Sequence, residues 1–114
     1  MCIRDRLSTC LATARKSGAR NLEGALLVHL ACAAAGRGDV EAWDRDFPPG
    51  AELVRETQFA DPDVPRFAER AGDLAARRGW PTRARAAFGL AADFYAVLGR
   101  DEDAARVRDR AVSG

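Results

Sequence analysis

Apolar residues recur along this chain at three- and four-residue intervals, and no stretch sustains the every-other-residue alternation of a half-buried strand. The pattern predicts about six helices. The first covers Leu7 to about Ser17 and ends at Gly18. The second starts near Asn21, a good N-cap with Glu23 close behind, and runs to Ala35, where Gly36 and Gly38 stop it. Its core, "LEGALLVHLACAAA", is apolar on nearly every side, so it should be covered on more than one face. A third helix follows the cap candidate Asp39 and carries Val40, Ala42, Trp43 and Phe47. Pro48-Pro49-Gly50 should break it, leaving a short helical piece from Ala51 to about Gln58.

The turn "ADPDVP" predicts a fourth helix, capped by Asp63 and with Pro65 in its first turn. Val64, Phe67, Ala68, Ala71, Leu74 and Ala75 form its apolar stripe, and Gly79 ends it. Pro81 opens a fifth helix that runs to Leu98 and stops at Gly99. It is apolar all round and should be central. The sixth begins with Asp101-Glu102-Asp103 and ends in arginines, which suits the helix dipole at both ends.

Composition narrows the class. The chain has 114 residues, 47% hydrophobic and 31% charged, enough for one domain with a modest core. The longest apolar run, near Ala25 to Ala35, is interrupted by His29 and is too short to span a bilayer, so no membrane role is expected. A net charge of +1 argues against nucleic acid as a partner. Lys16 is the only lysine, and the Ala/Arg/Gly/Asp bias fits a GC-rich bacterial genome. Cys2, Cys10 and Cys32 form no CxxC, and the count is odd. Cys10 and Cys32 are expected to be small buried hydrophobes in a reducing cytoplasm.

The first six residues, "MCIRDR", differ in character from the rest of the chain. They back-translate, codon for codon, to a sequence that resembles the adapter of transposon-based sequencing libraries. On that resemblance residues 1–6 are an adapter-derived artefact, native sequence begins near Leu7, and residues 7–114 are the C-terminal fragment of a longer, metagenomic protein. Without Arg4, Asp5 and Arg6, the 18 basic and 17 acidic residues become 16 of each.

Helices separated by glycine turns prompt a search for repeats. Gly72, Gly79, Ala84, Phe88 and Ala91 share one spacing. Gly99, Ala104 and Ala111 repeat the turn glycine and both alanines, with Ala92 and Tyr95 at first-helix positions. This register resembles the tetratricopeptide repeat. The resemblance implies an all-α fold of antiparallel helix pairs stacked as a short right-handed solenoid. Gly72 would allow close helix approach, Gly79 would make the turn, and Phe88 would fill the gap between Ala84 and Ala91. The unit from the Leu22 helix through "GRGDVEAW" has a similar layout, out of register by about a residue. The chain departs from the pattern at Ala68, Ala71 and Ala75, where large residues are expected, and near Ala96, where a proline is.

The texture of "ARKSGARNLEGALLVHLACAAAGRGDVEAWDRDF" and "DPDVPRFAERAGDLAARRG" also resembles the C-terminal repeat regions of large bacterial signalling proteins that combine a serine/threonine kinase or an AAA-type ATPase with helical repeats. No phosphate-binding glycine loop, HExxH or calcium-loop spacing occurs. His29 lies in an apolar helix with no carboxylate near it in sequence and reads as a packing residue. The chain is therefore expected to be non-catalytic, without catalytic, cofactor or metal residues. The expected function is a cytoplasmic repeat module that mediates protein–protein contacts or regulates an upstream catalytic domain. The alternatives are a structural or oligomerisation tail of an enzyme, and the ligand-sensing arm of a transcription regulator. Trp43 and the arginine stripe Arg66, Arg70 and Arg77 are the candidate contacts for a protein or peptide partner. A cut array would also expose the apolar face of its first helix and favour self-association of the fragment.

Overall fold

Four glycines set the frame. Gly18, Gly38, Gly79 and Gly99 all have φ between 75° and 80°, the left-handed region that costs a residue with a Cβ. A computed structural model describes residues 3–113. They form six helices: α1 (Ile3–Ser17), α2 (Arg20–Arg37), α3 (Val40–Thr57), α4 (Asp63–Arg77), α5 (Pro81–Val97) and α6 (Asp101–Ser113). Among the described residues there is no strand. The chain divides between Phe59 and Ala60 into two compact units, α1–α3 and α4–α6.

Each glycine closes its helix in the same way. The amide after it donates back to a carbonyl five residues earlier: Ala19 to Ala14, Asp39 to Ala34, Trp80 to Ala75 and Arg100 to Tyr95, at 2.8–3.0 Å. This is the Schellman closure, and it satisfies carbonyls that the helix end would orphan. The next residue starts the following helix at once. Thus one two-residue turn is used four times, and Gly79 and Gly99 stand 61 positions after Gly18 and Gly38. Gln58 ends α3 with the same hydrogen bonds at a φ of 51°, but no helix follows directly.

Several boundaries differ from the sequence expectation. α1 begins at Ile3 rather than Leu7, inside the hexapeptide read as adapter-derived; Met1 and Cys2 lie outside the described residues. α2 starts after Ala19 with no side-chain cap, and Asn21 sits in its first turn. Gly38 alone ends α2, and Gly36 lies within it. Asp39 does cap α3, its carboxylate accepting from the Ala42 amide at 3.1 Å. Asp61, not Asp63, supplies the side-chain acceptor at the start of α4, bonding the Asp63 amide at 2.8 Å.

The largest correction is at Pro48-Pro49-Gly50, which α3 traverses without a break. Proline at 48 and 49 removes the amide donors for the carbonyls of Asp44 and Arg45. All four residues are exposed, so water has access to that strip of backbone. Gly50 is buried on the opposite side, where the tertiary contact that holds the helix together is made.

That contact is a reciprocal glycine crossing with α2. A Cβ on Gly50 would lie 2.8 Å from Leu27 Cβ and 3.0 Å from the Val28 nitrogen. One on Gly24 would lie 2.8 Å from Leu53 Cβ and 2.9 Å from the Val54 nitrogen. The two backbones therefore approach more closely than any side chain permits. Leu7, Leu11, Leu27 and Leu30 form the core on the α1 side, and Trp43 stacks on Phe47 with ring centroids 4.8 Å apart.

In the second unit α5 packs against both α4 and α6, as α2 does between α1 and α3. The close point here is Gly72, where a Cβ would meet the Phe88 ring at 2.6 Å. Sixty-one positions earlier the same two sites hold Leu11 and Leu27, both buried. A large side chain over a bare glycine in one unit stands where two medium side chains stand in the other.

Candidate functional site

Both units carry a groove on the face where the first helix of the unit borders its neighbours. Asp5, Ser8 and Ala12 of α1 line the first groove, and Arg66, Glu69 and Asp73 of α4 line the second. These are the same positions under the 61-residue offset. The first groove has a volume of about 620 Å³ and the second about 450 Å³.

The second groove is laced by charge. Glu69 receives the Tyr95 hydroxyl at 2.8 Å and a two-pronged bond from Arg106, with Nη1 at 2.6 Å and Nη2 at 3.2 Å. Arg106 also donates to Asp103 at 3.2 Å, and Asp103 pairs with Arg100 at 2.6 Å. Arg110 pairs with Asp73 while its guanidinium lies 4.4 Å from the Phe88 ring centre. α6 is thereby fastened to α4 by two arginines one helical turn apart, over the aromatic that fills the Gly72 gap.

The electrostatics follow from these bonds. The Arg106 hydrogen bonds hold the Glu69 carboxyl below the usual glutamate range, with the Tyr95 hydroxyl adding to the effect against the cost of burial. Burial pushes the Tyr95 phenol up to about 12, and the bond it gives to Glu69 acts in the same direction. Arg106 is correspondingly raised. At neutral pH Glu69 and Arg106 therefore form an ionised pair beside a protonated Tyr95.

The first groove is built differently. Leu11 and Leu30 provide its apolar floor, and Arg15, Arg45 and Asp46 join Asp5 and Ser8 around it. Asp46 is only 4% exposed and accepts from Arg45 Nε and Nη2, both at 3.0 Å. Arg15 bonds Glu23 at 3.0 Å. Sequence reasoning passes over this site: Asp46 falls at a helical core position, but "DRDF" reads as a solvated run.

Of the residues that the sequence singles out, Arg66, Arg70 and Arg77 are exposed along α4, with Arg66 3.9 Å from Asp63. Trp43 is not on that surface; at 2% exposure, stacked on Phe47, it belongs to the first core. Ala84, Phe88, Ala91, Tyr95 and Ala104 are buried, Ala111 is half-buried, and Gly72, Gly79 and Gly99 take the crossing and turn positions already described. Cys32 is buried but Cys10 is exposed, because it lies off the Leu7–Leu11–Ala14 stripe of α1. His29 is half-buried in α2. Among the described residues no three His, Cys, Asp or Glu side chains converge as a metal site, and no helix is long and apolar enough to cross a membrane.

Comparison with protein families, with curated proteins and with solved structures finds no match to this chain.

Proposed function

We propose that the chain is a non-catalytic helical-repeat module of the tetratricopeptide kind, serving a bacterial signalling protein by protein–protein contact or by regulating an upstream catalytic domain. The observation that carries this reading is the four-fold use of one glycine turn, together with close glycine crossings between α2 and α3 and between α4 and α5. Such a turn returns each helix along its predecessor. Residues early in α2 lie against residues late in α3: Gly24 beside Leu53 and Val54, and Arg20 bonded to Glu56 at 2.7–2.8 Å. Antiparallel pairs of this sort present long, shallow, side-chain-lined grooves rather than enclosed pockets, a geometry suited to extended or helical partners.

The experiment is selection of displayed peptides against the 114-residue chain. The expected outcome is a family of peptides that bind saturably, compete with one another and lose affinity when groove residues are changed. Failure to select any saturable ligand, with the chain folded by circular dichroism, sinks the reading.

A further inference from the structure

The two grooves differ by one substitution whose chemistry points to a ligand. In the second unit Arg106 of α6 gives its Nη1/Nη2 edge to Glu69 of α4. Arg45 stands 61 positions earlier, at the same place on the third helix of its unit, and its side chain is 68% exposed. Ser8 holds the position of Glu69 and lines the same groove as Arg45. Asp46 takes the Nε/Nη2 edge of Arg45. The Nη1/Nη2 edge is the one that Arg106 gives to a carboxylate on another helix.

We propose that the groove of the first unit binds the side-chain carboxylate of a glutamate on a partner helix, held by the Arg45 guanidinium and the Ser8 hydroxyl over the Leu11–Leu30 floor. This rests on the interaction-module reading and adds the partner's chemistry to it. The second unit is the template: it shows an arginine at this register carrying two carboxylates at once, Asp103 from its own helix and Glu69 from another. In the first unit Asp46 supplies the own-helix carboxylate, and the partner supplies the other. Planar forked donors match a carboxylate in two bonds, which gives geometric selection as well as attraction. Selection comes from that geometry rather than from net charge, since Arg15 is already bonded to Glu23 and Arg45 to Asp46. The hydroxyl of Ser8, exposed on α1, is a donor suited to a second carboxylate oxygen. Leu11 and Leu30 ask for an apolar neighbour one helical turn from the glutamate. The template is a side chain within a helix, so a free chain terminus is not required.

The test is fluorescence anisotropy with an acetylated, amidated, alanine-based helical peptide carrying one glutamate and one leucine a turn apart. The same peptide with glutamine or lysine in place of glutamate is the comparison. Wild-type chain is expected to bind the glutamate peptide about tenfold more tightly than the glutamine one, and the lysine one least. Ser8→Glu supplies the missing carboxylate from the chain itself and should expel the peptide. Arg45→Gln should also abolish the preference. Ser8 is exposed, so Ser8→Glu remains informative even where Arg45→Gln disturbs folding around Asp46. Equal binding of the glutamate and glutamine peptides, or undiminished binding by Ser8→Glu, overturns the proposal while leaving the module reading standing. Loss of binding in Arg66→Gln instead assigns the acidic ligand to the α4 stripe and overturns it equally. An absence of binding by all three peptides overturns it too; display-selected ligands that bind elsewhere would keep the module.

Discussion

The α1–α3 and α4–α6 units share a frame and differ in how they fill it. Both place a left-handed glycine after the first and second helices, and both bury the second helix between the other two. The first unit closes its second crossing on bare backbone, with Gly24 and Gly50 reciprocal. The second closes its first crossing on an aromatic ring seated over Gly72. The first buries an aspartate at position 46, where the second buries Val107. The frame therefore fixes where a residue points, and leaves open what volume or charge stands there, provided that its neighbours compensate.

Exchanging the matched residues should break that compensation unequally. Val107→Asp puts a carboxylate at a fully buried site beside an arginine, Arg106, that is already engaged by Glu69 and Asp103, and should cost about 3–5 kcal/mol. The reverse exchange, Asp46→Val, leaves only the exposed Arg45 unpaired and should change stability by under about 1 kcal/mol. Urea midpoints decide both. Each unit contains one tryptophan, Trp43 or Trp80, so single-tryptophan versions report the unit concerned.

The glycine crossings come next. Gly50→Ala and Gly24→Ala each drive a methyl into backbone and Cβ atoms that cannot rotate away, at about 2–4 kcal/mol. Gly72→Ala meets a ring that can shift and should cost less. Gly72→Leu alone should be severe, but combined with Phe88→Leu it rebuilds the Leu11–Leu27 pairing of the first unit. A double-mutant cycle should then give a favourable coupling above about 1 kcal/mol; additive losses would show that the two crossings are not equivalent.

The Glu69 clamp should make the second unit lose stability on acidification. A carboxyl held below its ordinary value of 4.5 contributes stability that is complete above that value and disappears as pH falls through the lowered one. Denaturant midpoints of wild type and Glu69→Gln should converge on acidification and stay apart at neutral pH. At the alkaline end, the raised Tyr95 phenol contributes stability present below 10.0 and lost as pH rises through about 12.

The smallest effects separate two kinds of glycine. Gly79→Ala has room for its methyl but the wrong φ, and should cost about 1 kcal/mol. Gly89→Ala has room within a helix and should gain about 0.5–1 kcal/mol from propensity alone.

The helices were legible in the chain because glycine punctuates them and their apolar stripes recur at helical spacing. So was the central place of α2 and α5, apolar on every side. The prolines misled, since local rules penalise them at any helix interior, whereas here a buried crossing at Gly50 holds the helix across them. The link between the two units was hidden because size exchanges such as Leu11–Leu27 for Gly72–Phe88 erase identity while keeping the packing. The first groove was hidden for a related reason: its meaning lies in Ser8 not being a glutamate, and that shows only once Arg45 and Arg106 are known to be counterparts.

The two-residue turns leave no slack between one helix and the next. Successive residues on a helix are rotated by about 100°, so the glycine acts as the zero mark from which the following helix is counted. Leu27 and Phe88 each face inward at the ninth residue past such a mark, whatever lies between. Adding one residue to a turn would swing the whole following stripe out of phase, apolar side to water, with no single contact to blame. Within each unit, then, substitution is cheap wherever a neighbour can give way, and a change of length at a turn is ruinous.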